Sequence, residues 1–163
     1  MGPDRLDTGA GPALLPEIYV DADACPVKEE ILRVAGRHGL AVHLVSNGGI
    51  RPRPDPKVRI VVVGAGADAA DDWIADHIGP GDIAVTNDVP LADRCLKRGA
   101  AALRPDGRPF SENSIGLALA TRDLMAGLRE QGEIAGGPPP FSGRDRSRFL
   151  QSLDTAIQAA RRG

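Results

Sequence analysis

The sequence predicts an α/β fold, a three-layer sandwich in which a mostly parallel sheet of about five strands carries helices on both faces and is followed by C-terminal helices. Three observations predict it. Short runs of β-forming apolar residues alternate with stretches of helical periodicity, the pattern of strand–helix–strand units with right-handed crossovers. Two of the runs, Ile18-Tyr-Val20 and Ile83-Ala-Val85, break abruptly into acidic turns that lead into helices. The composition is 42% apolar but only 3% aromatic, so the core is built from Val, Ile, Leu and Ala, which suits tight packing of helices on a sheet. At 163 residues the chain holds one domain, residues 17–163, behind a tail of residues 1–16 with three Gly and three Pro.

The elements follow in order. Strand one, Ile18–Val20, runs into Asp21-Ala-Asp23 and a helix whose Val27, Ile31, Val34 and Ala35 recur at helical spacing, with Pro26 suited to its first position. That helix reaches about His38, and Gly39 stops it. Leu40–Val45 is the second strand, ending at Ser46-Asn-Gly-Gly49. Alternating prolines then forbid regular structure in Arg51-Pro-Arg-Pro-Asp-Pro-Lys57, where Arg51, Arg53, Lys57 and Arg59 concentrate positive charge. Ile60–Val63 is the third strand, and Asp68–Ile78 an acidic helix with Ala70, Ile74 and Ile78 on one face. Ile83–Val85 leads through Thr86-Asn-Asp88 to a helix with Leu91, Ala92, Cys95 and Leu96 inward and Gly99 as its stop. Ala100–Leu103 is the fifth strand. A long helix is expected from Ser111 to Gln131, then a Gly- and Pro-rich connector, 132–140, and a last helix capped by Ser142 and Asp145, with Phe149, Leu150, Leu153 and Ile157 as its docking stripe.

A net charge of −2 and a pI near 5.9 exclude a protein that holds nucleic acid by bulk positive charge, though local basic patches remain open to it. Two isolated cysteines make neither a disulfide framework nor a zinc site and suit a reduced, cytoplasmic setting. No apolar run is of membrane-spanning length, and the first 16 residues lack the pattern of a signal peptide.

The carboxylates carry the case for chemistry. Asp21, Asp23, Asp68, Asp71, Asp72, Asp88 and Asp93 all fall at strand ends or in the first turns of the helices that follow. Helix starts favour acids for dipole and capping reasons alone, worth roughly 0.3 to 1 kcal/mol each, and this explains Asp68, Asp72 and Asp93 as well as a site does. Asp21 and Asp88 directly follow apolar strands, at the rim where open α/β sheets bind ligands. Converging carboxylates repel unless a cation lies among them, and oxygen-only donors without His or Cys suit Mg²⁺ or Mn²⁺. Such a site fits phosphodiester hydrolysis. Ser46 and Asn47 end a strand on the same rim and could hold a phosphate, while Arg51, Arg53, Arg144 and Arg146 could guide a polyanion such as RNA. Cys25, Cys95, His38, His43 and His77 read as structural or surface residues.

Asp-Ala-Asp-Ala-Cys-Pro at 21–26, Ser46-Asn47, Ala67-Asp68-Ala-Ala-Asp71, Thr86-Asn-Asp-Val-Pro-Leu-Ala92, Arg122-Asp-Leu-Met125, Gly136-Gly-Pro138 and Arg144-Asp-Arg146 with Phe149 together resemble the bacterial YaiI/YqxD family, from about Ile18 into the last helix. The resemblance implies a PIN-like fold, akin to the PIN and NYN nuclease domains, in which acids at strand ends bind divalent metal. Carried onto this chain, it implies that Asp21 and Asp88 are metal-binding and catalytic, with Asp71 or Asp72 as the acid of the middle helix and Asp23 and Asp93 as further ligands. The Asp-x-Asp-x-Cys-Pro turn departs from ordinary PIN domains.

Two rival readings come from the same residues. Asp21-x-Asp23, Val45-Ser46-Asn47 and the pair Asp88 and Asp93 resemble the motifs of haloacid-dehalogenase-like phosphatases, with Asp21 as nucleophile, Asp23 as general acid/base and Mg²⁺ bound. That reading lacks a well-placed lysine, since Lys57 lies in the proline-rich loop and Lys97 beyond the acidic turn. The other is a non-catalytic RNA- or protein-binding module of PIN-like shape.

Overall fold

The runs around Ile18, Val42 and Ile83 are buried on both faces, which strands achieve only inside a sheet covered above and below. A computed structural model describes residues 15–66, 68–117, 119–121 and 141–162. Its strands are β1 (Ile18–Asp21), β2 (Val42–Ser46), β3 (Val58–Val62), β4 (Ile83–Val85) and β5 (Ala101–Leu103), all parallel in the order β3-β2-β1-β4-β5. Its helices are α1 (Lys28–His38), α2 (Ala69–His77), α3 (Val89–Lys97) and α4 (Gly143–Arg162), with residues 112–117 and 119–121 also helical. The rest of the long helix expected to Gln131, the connector 132–140, the motifs at 122–125 and 136–138, and residues 1–14 of the tail lie outside the described residues.

Alternate residues of each strand feed opposite layers. Ile18, Val20, Leu44, Ile83 and Val85 pack with Ile31 and Val34 of α1 and with Phe149, Leu153 and Ile157 of α4. Tyr19, Val45, Val61 and Ala84 pack on the other face with Ile74 and Ala75 of α2 and Leu91, Ala92 and Cys95 of α3. Small Ala84 and Ala102 on the second face let those helices sit close to the sheet. The docking stripe of α4 is as the periodicity predicts: Phe149, Leu153 and Ile157 are buried and Leu150 packs at the margin. Ser142 and Asp145 cap that helix reciprocally, Asp145 N–H donating to Ser142 Oγ at 3.2 Å and Ser142 N–H to Asp145 Oδ2 at 3.0 Å.

Local departures have local causes. α1 begins at Lys28, two residues beyond Pro26, because a 3₁₀ turn (Ala22–Ala24) first carries the chain off the sheet. Leu40 belongs to the end of α1 rather than to β2, its N–H bonding Ala35 O at 2.9 Å across Gly39, which holds the left-handed φ of 70° that ends the helix. No helix joins β2 to β3; the proline-rich loop makes this parallel connection, and β3 is the sheet edge, its alternating burial leaving Val62 66% exposed. The histidines are all structural: His38 bonds Asp154, His43 bonds Glu17 and stacks on Tyr19, and His77 bonds Trp73 O. Among the described residues no helix is long and apolar enough to cross a membrane.

Candidate functional site

β1 lies between β2 and β4, so the chain leaves it to one side and returns to the other. That reversal opens a crevice at the carboxyl ends of β1 and β4, the place where such sheets bind ligands. Asp21 is the last residue of β1, and Asp88 follows β4 by three residues as the N-cap of α3.

Thr86 ties the two together. Its buried hydroxyl donates to Asp21 Oδ2 at 3.1 Å and accepts the N–H of Asp88 at 3.0 Å. Asp88 Oδ1 accepts the N–H of Leu91 at 2.8 Å, the capping bond its place before Val89-Pro90 predicts. Asp71, in the first turn of α2, completes the group: its carboxyl is raised to about 6 by burial and by the charges of Asp88, Asp21 and Asp68. Burial also raises Asp21, against the Thr86 hydrogen bond and reinforced by Asp88 and Asp23. Three elements thus bring Asp21, Asp71 and Asp88 within range of one another's charge. Among the described residues, however, no three His, Cys, Asp or Glu side chains are gathered closely enough to hold a metal ion as they stand.

The remaining acids are held by other partners. Asp23 accepts from Ser46 Oγ and from Asn47 N–H at 3.0 Å, which pins the 3₁₀ turn to the end of β2. Asn47 in turn donates its side-chain N–H to Gly64 O at 2.6 Å, closing the rim after β3. Asp72 pairs with Arg94 at 2.9 Å, and Asp93 with Lys97 one turn along α3 at 2.8 Å. Cys25, buried, has its thiol pushed up to about 11 by desolvation, which keeps it in the protonated form.

The arginines separate into two groups. Arg53 is held by Glu29 on the far side of α1, and Arg51 is exposed on the same loop. Arg146 pairs with the largely buried Glu30 and stacks on Phe141, so it fastens α4 to α1. Arg144 instead lines a cleft of about 1150 Å³ together with Arg104, Arg108 and Arg148, with Asp23 and Asn87 of the two acidic turns, and with Asp106 and Asp145.

Sequence patterning did not single out Thr86, Lys28, Arg104 or Arg108 for these roles. A threonine two residues before an aspartate is itself a local turn signal that could have marked Thr86. Lys28 donates to the carbonyls of Ala22 and Cys25, both at 3.1 Å, and so fixes the acidic turn from the start of α1.

The Asp71 shift has a measurable sign. Its proton is held more tightly in the folded chain than at the ordinary value of 3.8, so its contribution to stability is fully present below that pH and is lost as pH rises through about 6. Melting curves between pH 4 and 7 should therefore show Asp71→Asn gaining on the parent as pH rises. A constant offset would mean that neither burial nor the neighbouring acids shift Asp71.

A family model described as "Uncharacterized BCR, YaiI/YqxD family" matches residues 19–159. The chain belongs to the YaiI/YqxD family. Relatives named UPF0178 protein are 64% identical over 146 residues in Parvibaculum lavamentivorans, covering 90% of this chain and 96% of that one, and 61% identical over 145 residues in Rhodopseudomonas palustris strain BisB18, covering 89% and 94%. A third, from Paramagnetospirillum magneticum, is 59% identical over 146 residues, covering 90% and 97%. No solved structure matches the chain. The YaiI/YqxD match takes in every acid of the crevice and all four arginines of the cleft.

Proposed function

We propose that this YaiI/YqxD chain is a divalent-metal-dependent hydrolase of RNA phosphodiesters, working at the crevice between β1 and β4. The observation that carries this reading is the Thr86 bridge, which holds Asp21 and the turn bearing Asp88 against each other at neighbouring strand ends, with Asp71 within reach of their charge. The donor chemistry fits Mg²⁺ or Mn²⁺: the ligands are oxygens only, and Asp21 and Asp88 each engage one carboxylate oxygen in these hydrogen bonds and keep the other. Asp21, Asp71 and Asp88 would hold the ion, their mutual repulsion relieved by its charge. The bound ion supplies a polarised phosphoryl oxygen and a more acidic water. Thr86 fixes the orientation of Asp21, while Lys28 and the Asp23 contacts to Ser46 and Asn47 keep the turn rigid. Two buried thiols, Cys25 and Cys95, suit a reduced cytoplasmic setting.

The phosphatase reading asks for a cation beside a nucleophilic Asp21. Asp23, which that reading makes the general acid/base, is occupied by Ser46 and Asn47, and Lys28 is turned to the carbonyls of Ala22 and Cys25.

A time course of labelled single-stranded RNA cleavage with Mn²⁺, beside a chelator control and the Asp21→Asn and Asp88→Asn proteins, tests the proposal. Asparagine at 88 still caps α3, so the helix start survives while the charge goes. Loss of one shared ligand should cost on the order of 100-fold or more in rate, the kinetic equivalent of about 3 kcal/mol. Equal cleavage by all three proteins would remove the site from consideration. Hydrolysis of a small phosphomonoester but not of RNA would favour the phosphatase, and metal binding without turnover would favour a binding module.

A further inference from the structure

We propose that the arginine cleft beside the acidic turns is a track for single-stranded nucleic acid, several nucleotides long, that feeds one phosphodiester to Asp21 and Asp88. Only that last step rests on the hydrolase reading.

The cleft is a built surface. Arg104 and Arg108 flank a tight turn after β5, closed by Arg104 N–H to Arg108 O and Gly107 N–H to Arg104 O, both at 2.9 Å. Gly107 holds φ at 92°, and a Cβ there would lie 2.6 Å from the carbonyl carbon of Arg148. The turn therefore rests directly on the backbone of α4, and the arginines of both elements line the same cleft.

Their charge is only partly used. Asp106 engages Arg108 at 2.7 Å, and Asp145, occupied in capping α4, approaches Arg148 no closer than 3.9 Å. Arg104 lies over the ring of Phe110 at 4.4 Å, where burial and the neighbouring Arg108 disfavour its charge and Asp106 partly offsets them. Among the described residues neither Arg104 nor Arg144 has a carboxylate partner, in a chain whose net charge is −2. An anion in the cleft relieves the crowding of like charges.

The shape of the cleft selects among anions. A volume of about 1150 Å³ exceeds the usual range of small-ligand pockets, roughly 300 to 1,000 Å³. Phe141 adds a partly exposed aromatic ring to the lining, one face of it taken by Arg146, and an unpaired base can pack on what remains exposed. Asn87 and Asp23, which also line the cleft, are sequence neighbours of Asp88 and Asp21, so a strand bound by its phosphates along the arginines reaches the acidic crevice. A repeating phosphate chain with free flat bases satisfies all three features.

Fluorescence anisotropy with a labelled 12-nucleotide single-stranded RNA in chelator tests this on the full chain. Arg104→Gln with Arg144→Gln should weaken binding at least tenfold and flatten the log–log salt dependence by about 1.4, at roughly 0.7 for each single-strand phosphate that is no longer neutralised. Arg33→Gln with Arg37→Gln, two exposed arginines of α1, removes the same charge and should leave binding within about twofold. Arg144→Gln alone, checked by circular dichroism, carries the test if the double variant does not fold. Single-stranded DNA should bind comparably, and duplex RNA and a mononucleotide far more weakly. The proposal is overturned if the cleft variants bind as the parent does, if the α1 variants weaken binding equally, if duplex or mononucleotide binds as well as the strand, or if no oligonucleotide binds. Strand binding that persists in Asp21→Asn, with no cleavage even by the parent in Mn²⁺, would sink the hydrolase reading and leave the track standing.

Discussion

Replacing Phe149 by alanine should lower the unfolding free energy by about 3 to 5 kcal/mol, a large part of the 5 to 15 kcal/mol that holds a domain of this kind together. Phe149 is fully buried where α4 crosses the sheet, in one cluster with Ile18, Val20, Leu44 and Val85 of the central strands. Truncation removes the largest fully buried side chain of that layer and leaves a cavity that neighbouring strands, fixed by their ladders, cannot close. Urea denaturation followed by circular dichroism measures the loss. Leu150→Ala, one residue on and at the margin of the same cluster, should cost much less. A change below about 1 kcal/mol for Phe149→Ala would mean that α4 does not dock on β1 and β4.

Gly107→Ala should destabilise by at least about 2 kcal/mol and detach the Arg104–Arg108 turn from α4. The left-handed φ of 92° is one cause. The larger is contact: the added carbon would meet the Arg148 carbonyl carbon at 2.6 Å and the Phe149 nitrogen at 2.7 Å, both backbone atoms that no rotamer change can move. Gly36→Ala is the matched control, since that glycine lies within α1 with nothing inside 4 Å of its would-be Cβ and should gain roughly 0.5 to 1 kcal/mol. Paired denaturation curves compare the two. An unchanged midpoint for Gly107→Ala would mean that the turn and the helix do not touch.

Much of this protein is legible in its sequence because strand and helix periods differ and the punctuation is local. Ile83–Val85 is found at its expected bounds, and the Ser142 and Asp145 cap forms as its spacing predicts. The Asp21 and Asp88 turns are legible for the same reason, since a carboxylate at the end of an apolar strand or in the turn that follows it stands at the rim. The starts of β2 and β3 shift by two residues because Leu40 is claimed by the end of α1 and Val58 by its pairing with Val42.

Ion-pair choice is not local. Arg53 and Arg146 read from sequence as free cations, but glutamates of α1 claim both. Asp72 and Asp93 similarly meet Arg94 and Lys97. Arg104 and Arg108 sit singly in an ordinary turn, and nothing in their spacing relates them to α4, some 40 residues later.

The sequence by itself determined the element order, the faces that must be buried and the rim on which the acids stand, because hydrophobic period and turn chemistry act over a few residues. Tertiary structure alone decided which acids and arginines lie together. The strand order β3-β2-β1-β4-β5 sets Asp21 beside the Asp88 turn, and the Gly107 contact sets two arginine pairs against each other. Charges act across space, and only the packed chain fixes those distances.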